Sequence, residues 1–273
     1  MNQHVSILGC GWYGLPLAQE LIKKGYQVKG ATTTPSKIEL LRSEKIQPFL
    51  IDLQEQDENI DPEFFLSDVL IVCIPPKRAA AEQGSYPSKI QKIIDAASEK
   101  PLKVIFISST SVYSDQGISV DEDSPTTAES ASGKAIVLAE KLLSGHKNFQ
   151  TTIIRFAGLV GPGRNPGRFF AGKSDIPNGQ APINLIHLDD CIQLTLSIIE
   201  QDAFGYAFNA CSPDHPQKQL FYTKAAVASQ LQGPEFIDEL SSWKLVLSKN
   251  TGLLLNYKYM IDNWSDWLDQ HKS

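Results

Sequence analysis

The segment from His4 to Ala18 constrains this chain more than any other. A short apolar run, Val5-Ser6-Ile7-Leu8, ends in Gly9-x-Gly11-x-x-Gly14 and passes directly into a helical pattern beginning Leu15-Pro16-Leu17-Ala18. Strand, glycine turn and helix start, in that order, form a cradle for a dinucleotide pyrophosphate. Gly9 permits the tight turn, Gly11 lets backbone approach a phosphate, and Gly14 allows close packing of helix on strand. The amides and positive dipole end of the new helix then face the anion. The expected binding set here is Gly9, Cys10, Gly11, Trp12, Tyr13 and Gly14; the plainer alternative is a structural turn.

Alternation of apolar runs with helical patterns extends this unit through the first two thirds of the chain. A helix from about Trp12 to Lys24 puts Leu15, Ala18, Leu21 and Ile22 on one face, and Gly25 closes it. Tyr26–Ala31 reads as a second strand, Pro35–Ser43 as a short helix and Pro48–Ile51 as a third strand. The run Val69-Leu70-Ile71-Val72-Cys73-Ile74 is continuously apolar, as expected of a strand covered on both faces, and Pro75-Pro76 stops it. A helix from about Ser88 to Ser98, a strand Lys103–Ile107, a helix from about Ser132 to Ser144 and a strand Thr151–Arg155 follow. Glycine and proline punctuate an irregular stretch from Gly161 to Ala181; a strand Tyr206–Ala210 and further helices complete the chain. The last helix, about Tyr259 to Gln270, sets Met260, Ile261, Trp264, Trp267 and Leu268 on one side, as core or interface.

The pattern predicts an α/β fold: a Rossmann-type doubly wound parallel sheet with a smaller C-terminal substrate-side lobe. The dinucleotide-binding domain is expected over 1–160 and to receive about 183–210; the smaller lobe takes 161–182 and 211–273.

Bulk properties narrow the function classes. With 273 residues, 42% hydrophobic and 21% charged, the chain can bury a substantial core. A net charge of -6 with no basic stripe argues against nucleic acid. No apolar run is long enough to span a bilayer, and no basic region followed by an apolar one opens the chain. Cys10, Cys73, Cys191 and Cys211 are scattered, without metal-ligand spacing, and read as small buried residues in a reducing cytoplasm. The expected partner is a small molecule, with no nucleic acid and no membrane, for a monomer or homodimer.

About 20 positions after the glycines an acidic residue would bind the adenosine ribose. This chain has Thr32, Thr33 and Thr34 there, with Lys37 and Arg42 just downstream. The missing carboxylate removes the repulsion that excludes a 2′-phosphate, so the expected cofactor is NADP or NAD with NADP slightly preferred. Asp52 and Leu53, ending the third strand, are candidates to meet the adenine or are a plain strand end.

The chain resembles the extended short-chain dehydrogenase/reductase superfamily, which includes sugar-nucleotide epimerases and dehydratases. The glycine motif carries the resemblance together with Ser108-Ser109-Thr110-Ser111-Val112-Tyr113, Arg155 followed by Gly161-Pro162-Gly163, Ile186-His187-Leu188-Asp189-Asp190 and Phe208-Asn209-Ala210. It extends over nearly the whole chain. The Arg155–Gly163 stretch and Gly167-Arg168-Phe169-Phe170-Ala171-Gly172-Lys173 look closest to the YeeZ-like bacterial group. Members of the superfamily carry Ser or Thr, Tyr and Lys as a catalytic set. The resemblance assigns the serine to Ser109 and the lysine to Lys134, and places the tyrosine four residues before that lysine, where this chain has Ser130. No tyrosine occurs between Tyr113 and Tyr206.

That departure is chemically serious. A tyrosine starts with a pKa of about 10 that a neighbouring cation brings towards working pH, whereas a serine hydroxyl needs an adjacent base. Losing a positioned acid–base group costs about 10²–10⁴-fold in rate. Tyr113 is the candidate substitute, against a role in packing or cofactor support. Lys134 is a candidate for ribose binding or direct proton transfer. His187 has a suitable pKa but sits in a motif that the resemblance assigns to a structural turn, with Asp189 or Asp190 capping the helix Asp190–Glu200. Arg164, Arg168 and Lys173 suit a phosphate or carboxylate of the substrate, or are solvated loop cations. The resulting expectation is an NAD(P)-dependent oxidoreductase or epimerase acting on a small anionic or sugar-like substrate. The alternatives are a non-catalytic dinucleotide-binding redox sensor or scaffold, and a glycine-motif reductase with its catalytic residues elsewhere.

Overall fold

The computed structural model describes residues 3–54, 60–76, 85–97 and 102–271. The opening apolar run forms β1 (His4–Leu8) and the glycine turn leads into α1 (Gly14–Lys23). There follow β2 (Gln27–Thr32), α2 (Ile38–Ser43), β3 (Gln47–Leu50), β4 (Val69–Val72), α3 (Tyr86–Ala97) and β5 (Leu102–Ser109). The chain continues through β6 (Ile118–Val120), α4 (Ala131–Ser144), β7 (Phe149–Phe156), β8 (Gly158–Val160) and β9 (Leu185–His187). The remaining elements are α5 (Leu188–Glu200), β10 (Ala207–Ala210), α6 (Lys218–Ala228), β11 (Lys244–Val246), α7 (Lys249–Leu255) and α8 (Trp264–Gln270). The C-terminal end expected for the helix at Ser98 lies outside the described residues.

Seven strands build one sheet in the order β10-β7-β5-β4-β1-β2-β3, with β1 parallel to both β2 and β4. The expected Rossmann-type parallel sheet is the fold. Its centre follows from composition: Val69, Leu70, Ile71 and Val72 of β4 are all completely buried, which is why that strand alternates no polar residue with its apolar ones. On α1, Leu17, Ala18 and Leu21 recur at helical spacing and face the sheet. Each fully buried leucine contributes about 1.5–3 kcal/mol.

The chain divides into two compact units: Met1–Val112, Ala128–Arg155 and Thr195–Ala207 form the first, and Tyr113–Thr127, Phe156–Leu194 and Phe208–Ser273 the second. The second unit contains two short parallel strand pairs, β8 with β9 and β11 with β6. Its core gathers Val160, Leu185, Phe221, Ala225, Trp264 and Leu268.

The end of the chain departs from the expected single helix over Tyr259–Gln270. Helix α8 starts only at Trp264, because Asn263 caps it by accepting the Asp266 N–H. Before that, the backbone N–H groups of Met260 and Ile261 donate to the buried Asp190 carboxylate at 2.7 and 3.2 Å. That pairing holds the segment off the helical path and leaves Met260 59% exposed, while Trp264 and Leu268 are core and Ile261 and Trp267 pack against it. The same carboxylate therefore does not cap α5. There the ring of His187 takes that place, its Nδ1 accepting the Asp189 N–H at 3.2 Å.

Candidate functional site

The glycine turn is built by contacts that only glycine permits. Gly9 has φ +108°, the left-handed region that L side chains avoid. A Cβ on Gly14 would stand 2.2 Å from the Gly9 carbonyl oxygen, so the helix can pack on the turn only without one. A Cβ on Gly11 meets nothing within 4 Å, and Gly11 is exposed. The turn thus holds an open space, floored by backbone, at the start of α1, whose first residues carry no side-chain cap. These features fit a pyrophosphate, which needs close backbone approach and helix-end amides.

Two of the expected ligand contacts change. Cys10 has its N–H on the Ala31 carbonyl at 2.8 Å and its thiol buried towards the Ile7 carbonyl, so it has no donor for a ligand. Burial pushes that thiol up to about 12, against the Ala31 backbone and Lys37, and it stays protonated. The Tyr13 hydroxyl is bonded to Thr195 at 2.6 Å in the buried interior, so its side chain braces α1 on α5 instead of reaching outward. Trp12, half-buried, precedes it at the head of the helix.

At the end of β2, the Thr32 hydroxyl accepts the Thr34 N–H at 3.1 Å, which shapes the turn and leaves the Thr33 and Thr34 side chains exposed. Lys37 is exposed nearby, while Arg42 is paired with Glu39. Asp52 is half-buried and accepts the Gln54 N–H at 3.3 Å; Leu53 is buried.

Ser109 is the last residue of β5. Its Oγ accepts the Ser111 N–H at 3.1 Å, an arrangement that keeps the hydroxyl hydrogen for another acceptor. Lys134 is exposed on the first turn of α4, and among the described residues its ammonium has no partner. Ser130 lies outside the helical face expected for it. It has extended backbone (φ -69°, ψ 148°) and caps α4, its Oγ accepting the Gly133 N–H at 3.1 Å. A short polar residue at that place serves the helix start, which is what serine does well and tyrosine does not.

Tyr113 is turned away from the role of substitute acid. It is 2% exposed, and its hydroxyl faces the Asp121 carbonyl at 2.9 Å and Asn209 Oδ1 at 3.0 Å inside the second unit. Burial lowers the pKa of His187, with Asp189 and Asp190 opposing, and its ring packs near Trp267 at 5.5 Å. Arg164 and Arg168 are exposed in the second unit, whereas Lys173 folds back so that its ammonium donates to the Phe169 carbonyl at 3.2 Å. Gly167 in the same stretch is structural: a Cβ there would meet the Ala225 carbonyl at 2.4 Å.

A buried cluster beside Ser109 escaped the sequence reading. Glu140 of α4 and Arg155 of β7 are 5% and 6% exposed and pair through two contacts, Nε–Oε1 at 3.0 Å and Nη2–Oε2 at 2.8 Å. Ser108 donates to the same Oε1 at 2.5 Å. The signal was present in the chain as charged residues of opposite sign in otherwise apolar stretches, Val137-Leu138-Ala139-Glu140 and Ile153-Ile154-Arg155.

Comparison with known proteins identifies the family. The model of the NAD dependent epimerase/dehydratase family matches residues 5–211. The chain is 35% identical over 245 residues to Protein YeeZ of Escherichia coli, covering 88% of this chain and 89% of that one. Among solved structures, UDP-glucuronic acid 4-epimerase from Bacillus cereus in complex with NAD superposes with a TM-score of 0.81 at 19% identity, covering 98% of this chain and 95% of that one. A short-chain dehydrogenase/reductase superfamily protein from Agrobacterium tumefaciens with bound NAD gives 0.82 at 16% identity, covering 98% and 96%. The chain belongs to the NAD dependent epimerase/dehydratase family.

Proposed function

We propose that this protein binds a nicotinamide dinucleotide at the Gly9–Gly14 turn and acts as an oxidoreductase or epimerase on a small anionic or sugar-like substrate. The open space at Gly11, beside a Gly14 that no other residue can replace, carries this reading. NADP fits slightly better than NAD, because Thr33, Thr34 and Lys37 are exposed at the end of β2 and no carboxylate in that turn repels a 2′-phosphate.

A bound nicotinamide takes up or returns a hydride. Ser109 would donate its hydroxyl hydrogen to the substrate oxygen that gains charge, and Lys134 would hold the nicotinamide ribose and supply the proton that a tyrosine supplies elsewhere in the family. Arg164 and Arg168, both exposed, suit an anionic group. One observation favours the second reading, a dinucleotide-binding sensor without turnover: Ser130 is occupied in capping α4 and brings no acid.

Thermal shift with NAD, NADH, NADP and NADPH tests the binding step, since a ligand at 100 times its Kd stabilises the folded state by about 2.7 kcal/mol. The expected result is a higher melting temperature, larger with the phosphorylated pair. No rise with any of the four overturns the proposal. If a substrate screen finds turnover, Ser109→Ala and Lys134→Met should abolish it, the dinucleotide still binding to the first and binding more weakly to the second; a cofactor that binds tightly and is never reduced supports the sensor.

A further inference from the structure

We propose that Glu140 is a positioning residue: gripped by Arg155 and Ser108, it fixes the helix that carries Lys134 against the strand that carries Ser109. The inference rests on the reading that those two residues serve one dinucleotide site.

Three elements of the first unit meet on this single carboxylate: α4 through Glu140 itself, β5 through the Ser108 hydroxyl and β7 through the Arg155 guanidinium. Stability alone does not account for the arrangement. Removing two charges from water costs several kcal/mol for each ion, and well-packed apolar residues of similar volume usually serve as well or better. What a fork-to-fork pair adds is fixed geometry. Its placement makes that geometry relevant. Ser108 is spent on Glu140, and Ser109 is the next residue along the strand. Glu140 also shares a helix face with Gly133, seven residues earlier and about 10 Å along the axis. At Gly133 the helix touches the serine turn, for a Cβ there would stand 2.6 Å from the Ser111 carbonyl oxygen, and Ser111 is the residue whose N–H holds Ser109 Oγ. Helix α4 is therefore pinned to the Ser109 turn at two points, and Lys134 follows directly after the first. Releasing the second pin lets the helix pivot and carries Lys134 away from its station.

Two probes separate positioning from general damage: ADP, which reaches the glycine turn but lacks the nicotinamide ribose, and NADH, which has it. Ser108→Ala cuts the strand from the ion pair without unpairing a buried charge. The expected result is an NADH affinity about tenfold lower, in line with the large penalties of small misplacements, with ADP affinity within about twofold of the wild type. Ser108→Thr, which keeps the hydroxyl, restores NADH binding. Replacing the whole pair, Glu140→Met with Arg155→Met, should reproduce the selective loss while the melting temperature stays within a few degrees. Unchanged NADH affinity in Ser108→Ala overturns the proposal, and so does a parallel loss of NADH, ADP and thermal stability, which marks a purely structural network. A wild type that binds neither probe overturns the cofactor site itself, an outcome distinct from binding that is indifferent to Ser108.

Discussion

Helices α1 and α4 of the first unit begin in opposite ways. Helix α1 starts beside an exposed glycine, with no side chain capping it, and the Tyr13 side chain at its head is diverted to Thr195. Helix α4 is closed by its own Ser130, whose hydroxyl takes the Gly133 N–H. A helix start that is to hold an anion must leave its amides uncapped, while one satisfied by a neighbouring serine has no such need. The contrast supports the proposed dinucleotide binding at the first and gives Ser130 a structural role.

The largest effect is expected at Gly14. Gly14→Ala drives a methyl group into the Gly9 carbonyl at 2.2 Å, and neither can swing aside, the oxygen being backbone and the methyl carbon bonded directly to backbone at Cα. Urea unfolding should show a loss of about 2–3 kcal/mol together with abolished NADH binding. Wild-type stability in this variant would break the contrast at its root. Next comes Gly11→Ala, whose methyl group meets no atom of the protein. Stability should stay within about 0.5 kcal/mol while NADH affinity falls at least about tenfold. Equal binding would show that the open space is not where the ligand lies.

At α4, Ser130→Tyr removes the cap and should cost about 1 kcal/mol, or a few degrees in melting temperature, whereas Ser130→Asp should hold it. A tyrosine variant that melts higher than wild type would make Ser130 something other than a cap. The smallest effect concerns a third helix start, α5, capped by a ring that titrates. Burial holds His187 below its ordinary value of 6.5, with Asp189 and Asp190 opposing and His271 adding to it. A histidine kept neutral in the folded state gives stability that is present above pH 6.5 and lost as pH falls through its lowered value. The melting temperature should therefore drop between pH 7 and 5 more steeply in the wild type than in His187→Asn, which keeps a capping group that does not titrate. His215, also held low by burial, contributes equally to both proteins and cancels in the difference. Parallel curves would remove His187 from the cap.

Much of the first unit was legible because its determinants are local. The run Val69–Val72 is apolar at every position and became the fully buried central strand. The spacing Gly9, Gly11, Gly14 records a backbone approach that any side chain forbids, so it can be read without knowing what surrounds it. Resemblance proposes Ser109 and Lys134 but does not tell how Ser130 stands, since a residue four positions before a lysine can sit on the helix or cap it. The end of the chain was misread for a related reason. Its apolar spacing fits one helix from Tyr259, and only the arrival of Asp190, some seventy residues away in sequence, takes the Met260 and Ile261 amides out of it.

By itself, then, the sequence determined the elements whose cause lies within a few residues: the glycine turn, the apolar strands and the faces of the long helices. Tertiary structure alone decided which polar groups are already spent, as with the Cys10 amide on Ala31, the Tyr113 hydroxyl on Asn209 and Glu140 on Arg155. A hydrogen bond depends on the position of both partners, and a chain written in one dimension gives only one of them at a time.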